Sequence, residues 1–278
     1  MTSNGVGGSP AGSTEPAEID TSKAHAARVY DYLLGGRANF KVDREAAEIT
    51  YAAWPGGIDA VRADVREHRA ALGRVVRYFA GDGITQFLDI GTGIPKQNNV
   101  HEVAQAAESD ARIVYVDRDP IVLAHAHQLL RGKRAGAISY IDGDLHDPQP
   151  ILREAEKTLD FSRPVAVTLF GILHFFNDAD DPRGLIGQLL APLPPGSGVA
   201  VSHLASDLHP DEMSEAFNRL NTRLAESVTL RSHDEVAALL TGLDLVEPGV
   251  VQASRWRPDP GAAAAASEVW LGVGRKAG

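Results

Sequence analysis

Apolar positions recur along this chain at two spacings, and the change from one to the other divides it. From Ser22, the residues Ala26, Val29, Tyr30 and Leu33 share one face at i, i+3, i+4, i+7, and Gly35-Gly36 supplies a stop, so a short helix is predicted. Asp43 is read as the cap of a second helix running through Ala53, which Trp54-Pro55-Gly56-Gly57 breaks. A longer helix follows from about Asp59 to Phe79, with Val61, Val65, Leu72, Val75, Val76 and Phe79 as its stripe. After Gly81-Asp82-Gly83 the apolar residues gather into runs of strand length: 84–90, 113–116, 137–141, 165–170 and 199–203. Helical stretches at 99–109, 120–131, 150–159 and 183–191 lie between most of them.

Strands alternating with helices imply crossover units on a parallel sheet buried on both faces, a doubly wound α/β fold. The last third differs. Helices near 210–226 and 232–240 precede two strand candidates, Leu245–Trp256 and Val269–Val273, whose loop is too short for a crossover helix, so an antiparallel hairpin is expected to close the sheet. The organisation expected is a disordered Gly/Ser/Pro-rich tail over 1–21, a helical cap over 22–80 and an α/β domain over 81–278. Ala262–Ala266 is a low-complexity loop without chemical content.

Composition narrows the function. Among 278 residues, 27 Lys and Arg stand against 37 Asp and Glu, a formal net charge of −10 that repels phosphate backbones and anionic lipid. Nucleic acid and membrane are therefore not expected as partners. With no Cys, thiolate zinc sites, iron–sulfur clusters and cysteine nucleophiles are excluded and an oxidising compartment has no support. The N-terminus has no basic and apolar signal pattern and no apolar run has the length of a membrane span, so a cytoplasmic address is expected.

The chemistry gathers at strand ends. Phe87-Leu88-Asp89-Ile90-Gly91-Thr92-Gly93-Ile94-Pro95 leaves the first strand at the carboxyl edge, where doubly wound sheets bind ligands. Two alternate glycines permit a tight turn and close approach of a ligand, although a plain turn is the rival reading. The NAD fingerprint wants a third glycine where Lys96 stands, and a charged Asp89 two residues before Gly91 would repel a pyrophosphate but attract an ammonium. Asp117 ends the next strand, about where nucleoside-binding sheets keep the acid for ribose hydroxyls; Asp119 before Pro120 is the better helix cap and leaves Asp117 free. Asp144, near the end of the third strand, can accept an adenine amine while the Leu145 N–H donates to the ring, or can be a surface turn.

From Gln86 to Leu145 the chain resembles the S-adenosylmethionine-binding half of class I, Rossmann-like methyltransferases. The family's acid-x-Gly-x-Gly matches Asp89, Gly91 and Gly93, its ribose acid matches Asp117, and its adenine-contacting Asp matches Asp144; its third glycine is Pro95 here. Residues 22–275 are also similar to a narrower bacterial family of S-adenosylmethionine-dependent methyltransferases once catalogued as a domain of unknown function. That likeness is carried by Ala27–Phe40 with Asp43, by Phe87–Pro95 and by Gly171-Ile172-Leu173-His174-Phe175. It implies a mostly parallel seven-stranded sheet in the order 3-2-1-4-5-7-6 with strand 7 antiparallel. It also implies S-adenosylmethionine as cofactor, S-adenosylhomocysteine as product, and cofactor contacts from Arg118, Leu145, Phe170 and Gly171 beside the residues already named.

The fourth strand opens into Gly171–Asp178, where cofactor and acceptor are expected to meet. His174 is the candidate catalytic base, a backbone-bonded structural histidine being the alternative. His203 reads rather as a buried structural histidine. The Asp/Asn-Pro-Pro-aromatic motif of amino-methylating DNA enzymes is absent, and no His, Asp or Glu pair with metal spacing sits at a strand tip; His125 and His127 do not share a helix face, so no metal is expected. Around Gly35-Gly36, Tyr30 and Asn39 are candidate cofactor or acceptor contacts in a segment able to fold over the site; a packing helix with a glycine end is the alternative. His68 and Arg69 can face the same cavity or solvent. The function expected is O- or N-methylation of a small-molecule acceptor by an S-adenosylmethionine-dependent enzyme. The alternative is a non-catalytic sensor of that cofactor, and Asp89 and Lys96 disfavour a nicotinamide oxidoreductase.

Overall fold

Near-continuous apolar strands fit a sheet covered on both faces, and this is how the chain folds. The computed structural model describes residues 21–52, 54–95, 98–130, 137–261 and 266–278, with the side chains of all but 126–130. The tail through residue 20, Lys96, Arg131, the His127 side chain and most of the Ala262–Ala266 run lie outside the described residues. Strands β1 (Gln86–Ile90), β2 (Arg112–Asp117), β3 (Ile138–Asp142), β4 (Ala166–Phe170) and β5 (Gly198–Leu204) are parallel, in the order β3-β2-β1-β4-β5. Helices α4 (Val100–Ala107), α5 (Pro120–Leu130), α6 (Pro148–Ala155) and α7 (Pro182–Leu190) make the crossovers.

The expected hairpin closes the sheet with one change. The stretch read as a single strand from Leu245 to Trp256 is two short pieces, β6 (Asp244–Leu245) and β7 (Val251–Gln252), both antiparallel to β8 (Val269–Arg275). Glu247-Pro248-Gly249 separates them: proline has no N–H for the ladder, and Gly249 turns the chain at φ 83°. β8 pairs antiparallel with β5 and lies between it and β6, so the order is β3-β2-β1-β4-β5-β8-β6, the Rossmann-like methyltransferase arrangement with its sixth strand broken.

The two-residue side-chain period sorts the strands onto two cores. Leu88, Ile90, Val114, Val167, Leu169 and Val201 pack with α6 and α7 on one face. Phe87, Ile113, Ala166, Ala200, Leu271 and Val273 face Leu72, Val75, Val76 and Phe79 of α3 (Gly57–Gly81) on the other. The polar residues Asp89, Thr168 and Ser202 stand two residues beyond Phe87, Ala166 and Ala200 of the second set, share its face and so point toward α3. A third cluster joins α1 (Ala26–Leu33) and α2 (Lys41–Tyr51) to α8 (Pro210–Asn221) through Leu33, Ala47, Met213, Phe217 and Leu220. The last helix, α9 (His233–Leu239), begins at Ser232, whose Oγ accepts from the Glu235 N–H.

Two local readings are refined. α1 ends in a Schellman turn, the Gly36 N–H donating to the Asp31 carbonyl (2.8 Å) and the Gly35 N–H to Tyr32 (2.9 Å), with Gly35 at φ 76°. α2 starts at Lys41 rather than at a cap on Asp43. Asp43 lies within its first turn, where its carboxylate accepts the N–H groups of Phe40 (2.8 Å) and His25 (3.0 Å) and pairs with buried Arg28 (3.1 Å). That one acid fastens the start of α1 to the start of α2.

Candidate active site

At the carboxyl edge of the sheet the strand tips and the α1/α2/α8 cluster enclose a cavity of about 260 Å³. Strand register builds its floor. Asp89 pairs with Thr168 on β4, and the Thr168 hydroxyl donates to Asp89 Oδ1 while the Thr92 hydroxyl donates to Oδ2 (2.9 Å). Burial raises the Asp89 carboxyl above its ordinary range, and the two hydroxyls oppose that shift. Gly91 takes φ 73° and brings the turn so close that a Cβ would stand 2.8 Å from Ile172; Gly93, at φ 65°, has nothing within 4 Å of that position.

Asp117 is not free. Its Oδ2 accepts the Gly93 N–H (2.8 Å) and its Oδ1 the Asp119 N–H (2.9 Å), so it shapes the glycine turn from the neighbouring strand. Burial raises its pKa despite these bonds. Asp119 is the helix cap expected, accepting the Ile121 N–H (2.8 Å), and it also holds the His25 ring at 3.0 Å. Asp144 accepts from the His146 backbone (3.0 Å) and ring (2.7 Å) and from Arg118 (2.8 Å). Partial burial works against ionisation, yet these donors hold the carboxyl down at about 2. Arg118 reaches Glu226 on the opposite side and so bridges the sheet edge to the segment after α8.

Over the tip of β4 stand two imidazoles. Gly171, at φ 67°, lacks the Cβ that would meet His68 at 3.5 Å and His174 at 3.7 Å. His68, on α3, lies within 3.1 Å of the Tyr30 hydroxyl through Nδ1 and 2.7 Å of the Ser202 hydroxyl through Nε2, and Ser202 Oγ accepts the Gly171 N–H (2.8 Å). Its ring stacks on Phe170, and burial pulls its pKa down to about 4. His174 is buried beside Phe175 and His203, its Nδ1 without a partner among the described residues, and desolvation holds its pKa well below the ordinary value. His203 donates through one ring nitrogen to the Leu204 carbonyl (2.9 Å) and accepts from Arg231 (2.9 Å) at the other. All three rings are neutral near pH 7.

Every residue expected at the site lines this cavity except Asn39. Asn39 donates to the Asp31 carboxylate (2.7 Å) and to the Gly36 carbonyl (3.0 Å), so its amide clasps the turn between α1 and α2 rather than facing the cavity. His68 and Arg69, left between cavity and solvent by the sequence, both face the cavity. Sequence reasoning missed Ser202, Asp64 and Glu268, and it missed the apolar wall from α8, although Met213, Phe217, Leu220 and Leu224 recur at helical spacing. Among the described residues no three His, Asp or Glu side chains group as metal ligands, and no helix is long and apolar enough to cross a membrane.

A glycine turn flanked by acids at three successive strand tips, on a sheet of this order, defines a class I methyltransferase fold and pocket. The chain belongs to the S-adenosyl methyltransferase family, which it matches over residues 12–277. It is similar to a protein of the same domain-of-unknown-function family from Streptomyces avermitilis MA-4680, at 40% identity and a TM-score of 0.86 over 93% of this chain and 100% of that one. It is similar also to a candidate methyltransferase from Thermobifida fusca YX, at 36% identity and a TM-score of 0.85 over 93% and 97% of the two chains. Comparison with curated proteins gives no match. The family assigns an S-adenosylmethionine-dependent methyltransferase.

Proposed function

We propose that this protein transfers a methyl group in line from S-adenosylmethionine to oxygen or nitrogen of a small organic acceptor. The observation that carries this reading is one continuous cavity whose two ends differ. One end has the glycine turn and the carboxyl groups of Asp89, Asp117 and Asp144; the other runs past Gly171 among Trp54, Phe175, Met213 and Phe217. The first end fits the cofactor. The open space over Gly93 gives a ligand room against the backbone, and Asp117 and Asp144 supply acceptors for ribose hydroxyls and an adenine amine, while Asp89 contributes a buried carboxyl group beside the methionine portion. When bound, that cofactor would supply an electrophilic methyl group, the acceptor's lone pair forming the new bond to carbon while the carbon–sulfur pair stays on sulfur as a neutral thioether.

The chain's own task is then to align the acceptor and exclude water. His174 is the group at the β4 tip able to take a proton from an acceptor O–H or N–H, whereas both ring nitrogens of His68 are engaged by the Tyr30 and Ser202 hydroxyls. His174 is neutral but weakly basic, because burial disfavours the imidazolium. Proton removal by it is therefore favoured only as the acceptor acquires charge during transfer. The net charge of −10 supports a small molecule over a nucleic acid as acceptor, and a chain with no Cys fits a cytoplasmic role. Isothermal titration with S-adenosylmethionine and S-adenosylhomocysteine tests the reading: both bind at micromolar Kd, and Asp117→Ala weakens both by roughly tenfold or more. Absence of binding by the unaltered protein would refute it.

A further inference from the structure

Among the described residues that line the cavity, Arg69 is a cation without a counter-charge. It stands on α3 beside His68 and reaches across to Asn99, the N-cap residue of α4, where its Nη2 donates to the side-chain oxygen (2.8 Å). α4 is the helix that follows the glycine turn, so this bond holds the guanidinium at the end of the cavity where Asp89, Gly91 and Gly93 lie. The other arm, Nη1, has no partner among the described residues, and unlike Nε it is not closed off by neighbouring atoms. Other guanidiniums of this protein are served differently. Buried Arg28, Arg74 and Arg231 each pair with a carboxylate, and Arg118, which also lines the cavity, is bonded to both Asp144 and Glu226. Arg69 has one neutral amide. A half-buried cation in that position is unfavourable until an anion joins it.

Resting on the reading of this cavity as an S-adenosylmethionine site, we infer that Arg69 is the residue that recognises the carboxylate of the cofactor's amino-acid tail. That tail carries an ammonium and a carboxylate, which need opposite surroundings. The acids at the strand tips, Asp89 foremost, suit the ammonium and the neutral donors of ribose and adenine; they repel a carboxylate, which must find a cation. Arg118 has both arms committed to acids, and the His25 ring is held by Asp119. The rings of His68, His174 and His203 are neutral near pH 7. Arg69 remains, at the glycine-turn end and with an unengaged N–H arm. A guanidinium contact to a carboxylate is charge-assisted and directional, and because Asn99 already fixes one arm, less freedom is lost when the other binds.

The test is calorimetric titration with S-adenosylhomocysteine and with its decarboxylated analogue, S-adenosyl-3-thiopropylamine, which keeps the adenosine, the sulfur and the ammonium. The unaltered protein binds the first at least roughly tenfold more tightly, the equivalent of one charge-assisted contact. Arg69→Met, which keeps the aliphatic stem, abolishes that preference by weakening S-adenosylhomocysteine alone. Arg69→Lys, which keeps the charge, retains part of it, and melting temperatures report that both variants are folded. Equal binding of the two ligands by the unaltered protein, a preference that survives Arg69→Met, or a loss shared by both ligands in that variant overturns the inference. An anion on the acceptor is the other source of a carboxylate. Titration of 3-phenylpropionate into the S-adenosylhomocysteine complex separates the two: binding that Arg69→Met removes while the cofactor preference stays assigns the guanidinium to the acceptor and overturns the inference too. The cofactor reading is scored separately. If both adenosine ligands bind the unaltered protein equally, only the Arg69 inference falls; if neither binds, the cofactor reading falls and takes it along.

Discussion

Gly91 and Gly93 share one backbone conformation and differ in their surroundings, which makes a controlled experiment. Alanine at either position must adopt a positive φ, which costs about 1–2 kcal/mol. At Gly91 the new methyl would also lie 2.8–2.9 Å from three Ile172 atoms, including its backbone-anchored Cβ, so relief requires the chain to shift. Overpacking of this kind costs about 1–3 kcal/mol more. Urea denaturation without ligand should therefore show Gly91→Ala destabilised by about 2–5 kcal/mol and Gly93→Ala by only about 1–2 kcal/mol, at unchanged m-value. Ligand reverses the contrast in meaning. S-adenosylhomocysteine at a hundred times its Kd stabilises the unaltered protein by about 2.7 kcal/mol. Gly93→Ala, folded but with a methyl in the open space over the turn, loses most of that gain. Equal destabilisation by the two substitutions would refute the steric argument, and full ligand stabilisation of Gly93→Ala would refute the assignment of that space to the cofactor.

Other expectations follow from the same geometry. Thr168→Val leaves the buried Asp89 carboxyl with one hydroxyl donor fewer and should cost about 1–3 kcal/mol, with Thr168→Ser costing less; chemical denaturation measures both. The His25–Asp119 pair predicts a pH window. The hydrogen bond that the His25 ring donates to Asp119 raises the His25 pKa, so its contribution is complete below the ordinary 6.5 and fades as pH rises through the higher folded value. Asp119 is lowered, its bond to His25 outweighing desolvation together with the other donors, so its contribution is present above 3.8 and fades as pH falls through the lower folded value. The stability deficit of His25→Gln should accordingly be largest between these two values and shrink above them, read from melting temperatures across pH; a deficit that grows above pH 7 would contradict the pair. Imidazole NMR should find His68, His174 and His203 untitrated between pH 6 and 8 while His25 titrates above its ordinary 6.5.

The sheet was legible because burial on both faces leaves strands as uninterrupted apolar runs, and the acids at their tips stood out against that background. Where a strand is short and at the edge, as at β6 and β7, the apolar pattern runs on through Pro248 and Gly249 and conceals the break. Local chemistry misplaced Asn39 and Asp43 for a related reason. Each is a polar residue near a glycine or a helix start, but their partners include Arg28, His25 and Asp31, set by how α1 and α2 come together and invisible at short range. His68 sits on a helix whose stripe serves two different clusters, so periodicity alone could not say whether its ring met the sheet or solvent. Ser202 and Glu268 are single polar residues at strands, without a spacing to mark them.

The cavity's two ends are held by separate pieces of the protein. The glycine turn and its acids hang from the parallel strands, whereas Met213, Phe217 and Leu220 belong to the packing of α8 against α1 and α2, which forms its own cluster. That cluster also takes in Val61 and Val65 of α3 and meets Phe175 and Leu204 beside the ends of β4 and β5, so the helical canopy rests on the sheet edge at few points. The canopy and the floor are thus separate in sequence and in packing: substitutions at Met213, Phe217 or Leu220 reshape one end of the cavity without altering any residue of the glycine turn or its acids.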